Sequence, residues 1–306
     1  MIYSHDIIKK RIFVTGSNGM LGQRIVHYFS KLENVELMAC SVEDKQVPGD
    51  KEVEYIQCDL RKRESIKSAV LNFYPDFIIN AAAFTNVDLS ESDRENAWKL
   101  NVKGVEYLAE TCRVLDAHLI HISSDYIFDG KKGPYSEDAK PNPLGYYGRT
   151  KLASENALKI SGAVNTIIRT NVLYGVANSR PDFVRWVINS LRSNKQINIV
   201  TDQINNPTYI DDLVSAISKI VEFRRQGIYN IGGRDFLSRY DFTIKIADYF
   251  NLDKSLIHSI KTIDLNQAAP RPLNSGLYTI KAESQLGFKP HTIDETLAIM
   301  KKELSL

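Results

Sequence analysis

Tyr147 and Lys151 stand four residues apart in the stretch GYYGRTK. On a helix that spacing puts both side chains on one face, about one turn apart. A nearby ammonium favours the phenolate and lowers a pKa that is about 10 in free tyrosine. A tyrosine tuned this way can give a proton to a carbonyl oxygen as a hydride reaches the carbon, or take it back in reverse. Tyr146 lies roughly 100° round the same helix, so it is expected to pack against the sheet or a substrate loop. Upstream, the apolar run AHLIHISS ends in Ser123 and Ser124. A hydroxyl at the end of a strand can bond the reacting oxygen and orient it, which makes Ser124 the third candidate. Its plain alternative is a cap or turn residue.

A second constellation opens the chain. VTGSNGMLG places Gly16, Gly19 and Gly22 between a β-rich run, RIFVT, and a helical pattern through Ile25, Val26, Phe29 and Leu32. A dinucleotide pyrophosphate needs bare backbone and the unpaired N–H groups of a helix N-terminus. Side chains at Gly16 or Gly19 would block that approach, and Gly22 lets the helix pack close to the sheet. The residue that would separate NAD from NADP by the ribose 2′ position is not decided. The second strand runs into Cys40, Ser41 and Val42, then Glu43, Asp44 and Lys45 of mixed sign. Asp59, just after the third strand, can also be read as a helix N-cap.

These residues need a scaffold, and the apolar runs supply one. RIFVT, VELMAC, VEYIQC, PDFIINAAA, AHLIHISS and AVNTIIRT read as strands buried on both faces, because they are continuous rather than alternating. Helical patterns lie between them, around 65–73, 95–115 and after Tyr147. The expected fold is α/β: a doubly wound parallel sheet of the Rossmann kind. The rhythm breaks near Arg169. Residues 1–170 are read as a dinucleotide-binding domain and 171–306 as a smaller α+β substrate domain, with helices near 181–192, 211–224, 238–250 and 293–304. GIYNIGG, residues 227–233, could return a strand to the main sheet.

The 306 residues carry 43% hydrophobic and 25% charged residues and a net charge of +2, so no basic face for nucleic acid is expected. No apolar run is long enough for a membrane span. The N-terminus, MIYSHDIIKK, has no apolar segment before its lysines and is not read as a secretory signal. Cys40, Cys58 and Cys112 have no paired spacing and are read as reduced thiols in a cytoplasmic protein. The scattered histidines give a metal site no support.

The TGxxGxxG loop resembles that of the extended short-chain dehydrogenase/reductase family, whose cofactor is NAD or NADP. The resemblance implies cofactor contacts from Gly16, Asn18, Gly19, Met20, Leu21 and Gly22. It extends them to Ser41, to Asp59 and Leu60, to Ala81, Ala82 and Ala83 of NAAA, and to Tyr147 and Lys151. ISSDYIFDG, KGPYSEDAKPNPLGYYGRTK, NAAAFTNVDLSES, VTDQINNPTYIDDL and RPLNS together resemble the dTDP-4-dehydrorhamnose reductase family, over almost the whole chain. That family reduces a nucleotide-linked 4-keto-6-deoxy sugar with NADPH or NADH. The resemblance implies Ser124, Tyr147 and Lys151 as catalytic residues, and Asp125 and Tyr126 as walls of the sugar site. Asn101 would lie near the active site, or serve hydrogen bonding within its helix. Arg271 and Asn274 would belong to a substrate loop, or be buried polar anchors for it.

One departure stands out. RTNVLYG carries Val172 where the family's RTSWVYG has a tryptophan in the substrate pocket, so a different sugar or nucleotide becomes plausible. The SSDYIF spelling also resembles the β regulatory subunit of methionine adenosyltransferase, which binds NADP and acts through a partner enzyme. An epimerase or dehydratase of the wider family is a third reading. Dehydratases commonly carry Asp–Glu after the active-site threonine, whereas Asp125 and Tyr126 follow Ser124 here. A nucleotide-sugar substrate and a homodimer are the expected partners.

Overall fold

The structure, a computed structural model, describes residues 9–49, 51–178 and 181–306. The first eight residues, on which the signal-peptide reading rests, lie outside the described residues.

β1 (Lys10–Thr15), β2 (Val35–Ser41), β3 (Glu54–Gln57), β4 (Phe77–Asn80), β5 (His118–Ser124) and β6 (Asn165–Thr170) form one sheet with a last strand, Gly227–Ile231. Its order is last strand–β6–β5–β4–β1–β2–β3, and every pairing is parallel. Ile12, Phe13 and Val14 are wholly buried, as are Ile78, Ile79, Leu119 and Ile120. Continuous apolar strands demand helices on both faces, and both faces are covered. α1 (Met20–Phe29) and the helix Ile210–Phe223 pack on one side, α2 (Arg63–Phe73) and the helix Gly104–Leu115 on the other. The strand order reverses between β1 and β4, and in open α/β sheets ligands bind at the C-terminal strand ends beside such a reversal.

The segment after β6 does two things. Its strand Gly227–Ile231 joins the sheet beside β6, in register from Gly227 opposite Thr166 to Ile231 opposite Thr170. The rest builds a cap of helices, Phe183–Arg192 and Arg239–Tyr249, with a parallel pair in which Ile197–Val200 lies beside Ile257–Ile260. Among the described residues, no helix is long and apolar enough to cross a membrane. No group of three or more His, Cys, Asp or Glu among them could hold a metal ion. The cysteines are free and buried.

Candidate active site

A single cleft of about 1200 Å³ runs along the C-terminal ends of the strands. Gly16, Gly19, Met20, Leu21, Ser41, Asp59, Leu60, Ala81, Ala82 and Ala83 line one end. Ser124, Asp125, Tyr126, Tyr147, Lys151 and Val172 line the other. The volume exceeds the upper range of pockets that hold one drug-sized ligand, roughly 1000 Å³, so there is room for a dinucleotide and a second molecule.

The glycine turn fits a dinucleotide on its own geometry. Gly16 has φ +65°, and a Cβ there would lie 2.7 Å from the Ala82 backbone, so the turn requires glycine. A Cβ on Gly22 would stand 2.1 Å from the Gly16 carbonyl oxygen. α1 begins after Gly19 with no side chain capping its N–H groups and no acid in its first turn. Those donors face the cleft unspent, as an anion site needs.

The helix that carries Tyr147 and Lys151, Tyr146–Ile160, starts directly after Gly145. Lys151 is buried, and its Nζ donates to the Ile122 carbonyl of β5 at 2.6 Å. Burial pulls its pKa down to about 8, while Glu155 one turn further on works the other way. Glu155 is itself paired with Arg169 at 2.8 Å in full burial and accepts from Ser123 Oγ at 2.6 Å. Tyr147 is pushed well above the usual tyrosine value, first by burial and then by the Asp125 charge, against a hydrogen bond with Ser124. The phenol is therefore proton-bearing at neutral pH, the state an acid needs. The expectation that the lysine holds the phenol down is not met here; burial dominates. Ser124 Oγ donates to Asp125 Oδ1 at 3.0 Å and accepts from the Tyr126 N–H at 3.2 Å. The Tyr126 ring meets Tyr147 edge-on at 5.7 Å. Asp125 also accepts from Ser275 Oγ at 2.6 Å, and burial raises its pKa to about 6.

The remaining candidate residues divide between the cleft and its surroundings. Asn18 does not line the cleft. Its amide donates to Lys45 O at 2.8 Å and Glu43 Oε2 at 3.1 Å, so it braces the loop after β2. Gly22 is buried beneath Gly16 and serves helix packing. Asn101 lies in a π-helical turn, Lys99–Lys103, and is spent on Phe84 N–H at 2.7 Å and Thr150 Oγ1 at 3.0 Å. Arg271 pairs with Asp88 at 2.6 Å, and Asn274 donates to Gly133 O at 2.9 Å, so both anchor their loop rather than line the cleft. Asp59 does not cap α2; its carboxylate accepts from Arg61, backbone and side chain, while facing the cleft. Tyr146, expected on the sheet or a substrate loop, does not line the cleft. The Arg94 guanidinium lies 5.1 Å from its ring centre.

Sequence reasoning missed four residues. His121 lies in a buried chain behind the lysine. Thr15 Oγ1 donates to Asn80 Oδ1 at 2.7 Å, and Asn80 Nδ2 meets His121 Nδ1 at 3.2 Å. His121 Nε2 meets Ser154 Oγ at 3.0 Å, and that hydroxyl donates to the Lys151 carbonyl at 2.7 Å. Glu155 had a signal in its four-residue spacing from Lys151. Gly148 had one too, as a glycine inside a helix: a Cβ there would lie 2.1 Å from the Tyr126 carbonyl oxygen. Arg239, on the cleft wall, had none. Val172 holds φ +35°, unusual for a β-branched residue, on the wall where the tryptophan was expected.

The family model for the RmlD substrate binding domain matches residues 10–306. The chain belongs to this family. It is 31% identical over 292 residues to the dTDP-4-dehydrorhamnose reductase of Aggregatibacter actinomycetemcomitans, covering 92% of this chain and 94% of that one. It is also 34% identical over 281 residues to methionine adenosyltransferase 2 subunit beta of Xenopus tropicalis, covering 90% of this chain and 82% of that one. The crystal structure of a dTDP-4-dehydrorhamnose reductase from Clostridium acetobutylicum superposes with a TM-score of 0.87 at 30% identity, over 97% of this chain and 100% of that one. The Bacillus anthracis enzyme of the same name, in complex with NADP, gives 0.84 at 28% identity, over 96% and 99%.

Proposed function

We propose that the protein is an NAD(P)H-dependent reductase of a nucleotide-linked 4-keto-6-deoxy sugar. The observation that carries this reading is the continuity of the cleft. One space joins the uncapped glycine turn to Ser124, Tyr147 and Lys151. The bound dinucleotide supplies a hydride from its nicotinamide ring. Gly16, Gly19, Met20 and Leu21 would hold its pyrophosphate end, and Ala81–Ala83 would leave room along its length. Lys151, fixed by the Ile122 carbonyl, would hold the nicotinamide ribose. Ser124 would orient the ketone oxygen, and Tyr147 would give that oxygen its proton.

The adenosine end favours NADH in this reading. Glu43 lines the cleft past β2, held by Ser41 Oγ at 2.5 Å and Asn18. An acid there accepts the ribose 2′-hydroxyl and repels a 2′-phosphate. The nearby cation, Arg61, is paired with Asp59 at 2.9 Å. The residues before and after position 170 then divide the work, dinucleotide first and substrate second, with the cap closing over the sugar.

The test is oxidation of NADH and NADPH against dTDP-, UDP- and GDP-linked 4-keto-6-deoxy sugars. Turnover with at least one sugar, faster with NADH, is expected; no turnover across the panel contradicts the reading. A second reading, a dinucleotide-binding regulatory subunit, is favoured by the likeness to methionine adenosyltransferase 2 subunit beta. Co-elution with a methionine adenosyltransferase, in the absence of any turnover, would support it instead.

A further inference from the structure

The cleft wall carries a cation that the chemistry above does not use. Arg239 is the first residue of the helix Arg239–Tyr249 and lines the cleft. Its root is fixed. Its N–H donates to the Gln203 carbonyl at 3.0 Å, and a capping box of Ser238 and Asp241 sets the first turn. Its guanidinium lies 4.9 Å from the centre of the Phe183 ring. The neighbouring acids are all engaged elsewhere. Asp125 accepts from Ser124 and Ser275 at 3.0 and 2.6 Å. Asp88 is paired with Arg271 at 2.6 Å, and Asp182 with Arg185 at 2.8 Å. Among the described residues, the Arg239 guanidinium makes no hydrogen bond and no ion pair to a protein oxygen.

Arg239 is half-buried on the cleft wall, so donors that meet no protein acceptor stay open to a ligand. Burial works against the Arg239 charge. Its planar fork of donors matches a phosphate or carboxylate. The dinucleotide pyrophosphate belongs to the glycine turn, whereas Arg239 is set by the cap, beside Asp125 and Tyr126. The anion must therefore arrive on the other ligand.

We propose that Arg239 receives the diphosphate of a nucleoside-diphosphate-linked substrate and sets the requirement for that group. This rests on the functional reading above. The test is calorimetric titration of the full chain, saturated with NADH, using dTDP, UDP, UDP-glucuronate and the nucleosides thymidine and uridine. Wild type and the variants Arg239→Gln and Arg239→Lys are compared. Wild type is expected to bind at least one nucleoside diphosphate at least ~10-fold more tightly than its nucleoside. Arg239→Gln should lose that margin, Arg239→Lys should keep part of it, and NADH affinity should not change.

A diphosphate margin unchanged in Arg239→Gln, or absent in wild type, overturns the proposal. So does a loss confined to UDP-glucuronate, which would place the anion on the sugar. Reduced NADH affinity in both variants would make Arg239 a structural residue and also overturn it. The two readings fail separately. Loss of the margin with no wild-type turnover keeps this site and removes the reductase, whereas turnover with an unchanged margin does the reverse.

Discussion

At the scale of single residues, the site consists of groups held in chosen protonation states. Burial keeps the Tyr147 proton in place, and Lys151 is brought down to about 8. Removing the Tyr147 hydroxyl should therefore remove the proposed acid. Tyr147→Phe is expected to lower kcat by ~10²–10⁴ with NADH affinity retained, measured by fluorescence titration. Tyr146→Phe should stay near wild type, because that ring faces Arg94 outside the cleft. The lysine gives a pH dependence. Its ammonium is present below about pH 8 and lost above, while the phenol keeps its proton beyond that point. The kcat/KM for reduction should be flat from pH 7 downward until other groups titrate, and should fall above about 8. A profile still flat at pH 9.5 would show that the lysine charge is not needed. That Tyr147 and Lys151 line one cleft was legible because helical spacing is local; that burial rather than the lysine governs the phenol was not. For Arg271 and Asn274 the sequence offered two readings, substrate loop or polar anchor, and could not choose, because their partners Asp88 and Gly133 are set by tertiary folding; the bonds of Asn101 to Phe84 and Thr150 were hidden for the same reason. Arg239 reads in sequence as an ordinary arginine in the first turn of a helix; only the engagement of its neighbours sets it apart.

At the scale of elements, glycine decides how closely the machinery assembles. Gly148 lets the helix Tyr146–Ile160 press onto the Tyr126 carbonyl, so that Ser124 and Tyr147 share one end of the cleft. Gly148→Ala must move the helix or the turn, since the added carbon would stand 2.1 Å from that oxygen. The expected outcome is a kcat at least ~10-fold lower, as small displacements of catalytic groups cost that much or more, with NADH affinity changed less. Equal kcat in the two proteins would mean that the close approach is incidental. The strands were readable because doubly buried parallel strands have no polar alternation to confuse them. The long helical pattern near 95–115 resolves into three pieces, Arg94–Trp98, a π-helical turn and Gly104–Leu115. The hydrophobic period did not show that break; the turn coincides with Asn101, whose amide is bonded to Phe84 and Thr150.

At the scale of the whole molecule, the C-terminal segment is woven into the body rather than hung from it. It returns a strand to the sheet, and Ser275 reaches Asp125 at 2.6 Å. Arg24 of α1 joins Asp211, and also Glu303 at 3.0 Å. The Asp125 carboxylate sits at this junction and carries a stability term. Its pKa is raised from 3.8 to about 6, so folding favours the protonated form. That contribution is full below pH 3.8 and is lost as pH rises through 6. Asp125→Asn should therefore raise Tm by a few degrees at pH 7 and change it little at pH 4, read by calorimetry. A lower Tm at pH 7 would mean that the two serine hydrogen bonds outweigh the buried charge. One cleft is lined by residues from both parts of the chain, and the proposed function requires hydride transfer within it. The decisive measurement follows deuterium from the nicotinamide C4 position of labelled NADH into the nucleotide-sugar product by mass spectrometry. The label is expected on carbon 4 of the reduced sugar, with transfer slowed by ~10²–10⁴ in Tyr147→Phe. Product without label, or label transfer undiminished in that variant, would contradict the proposed function.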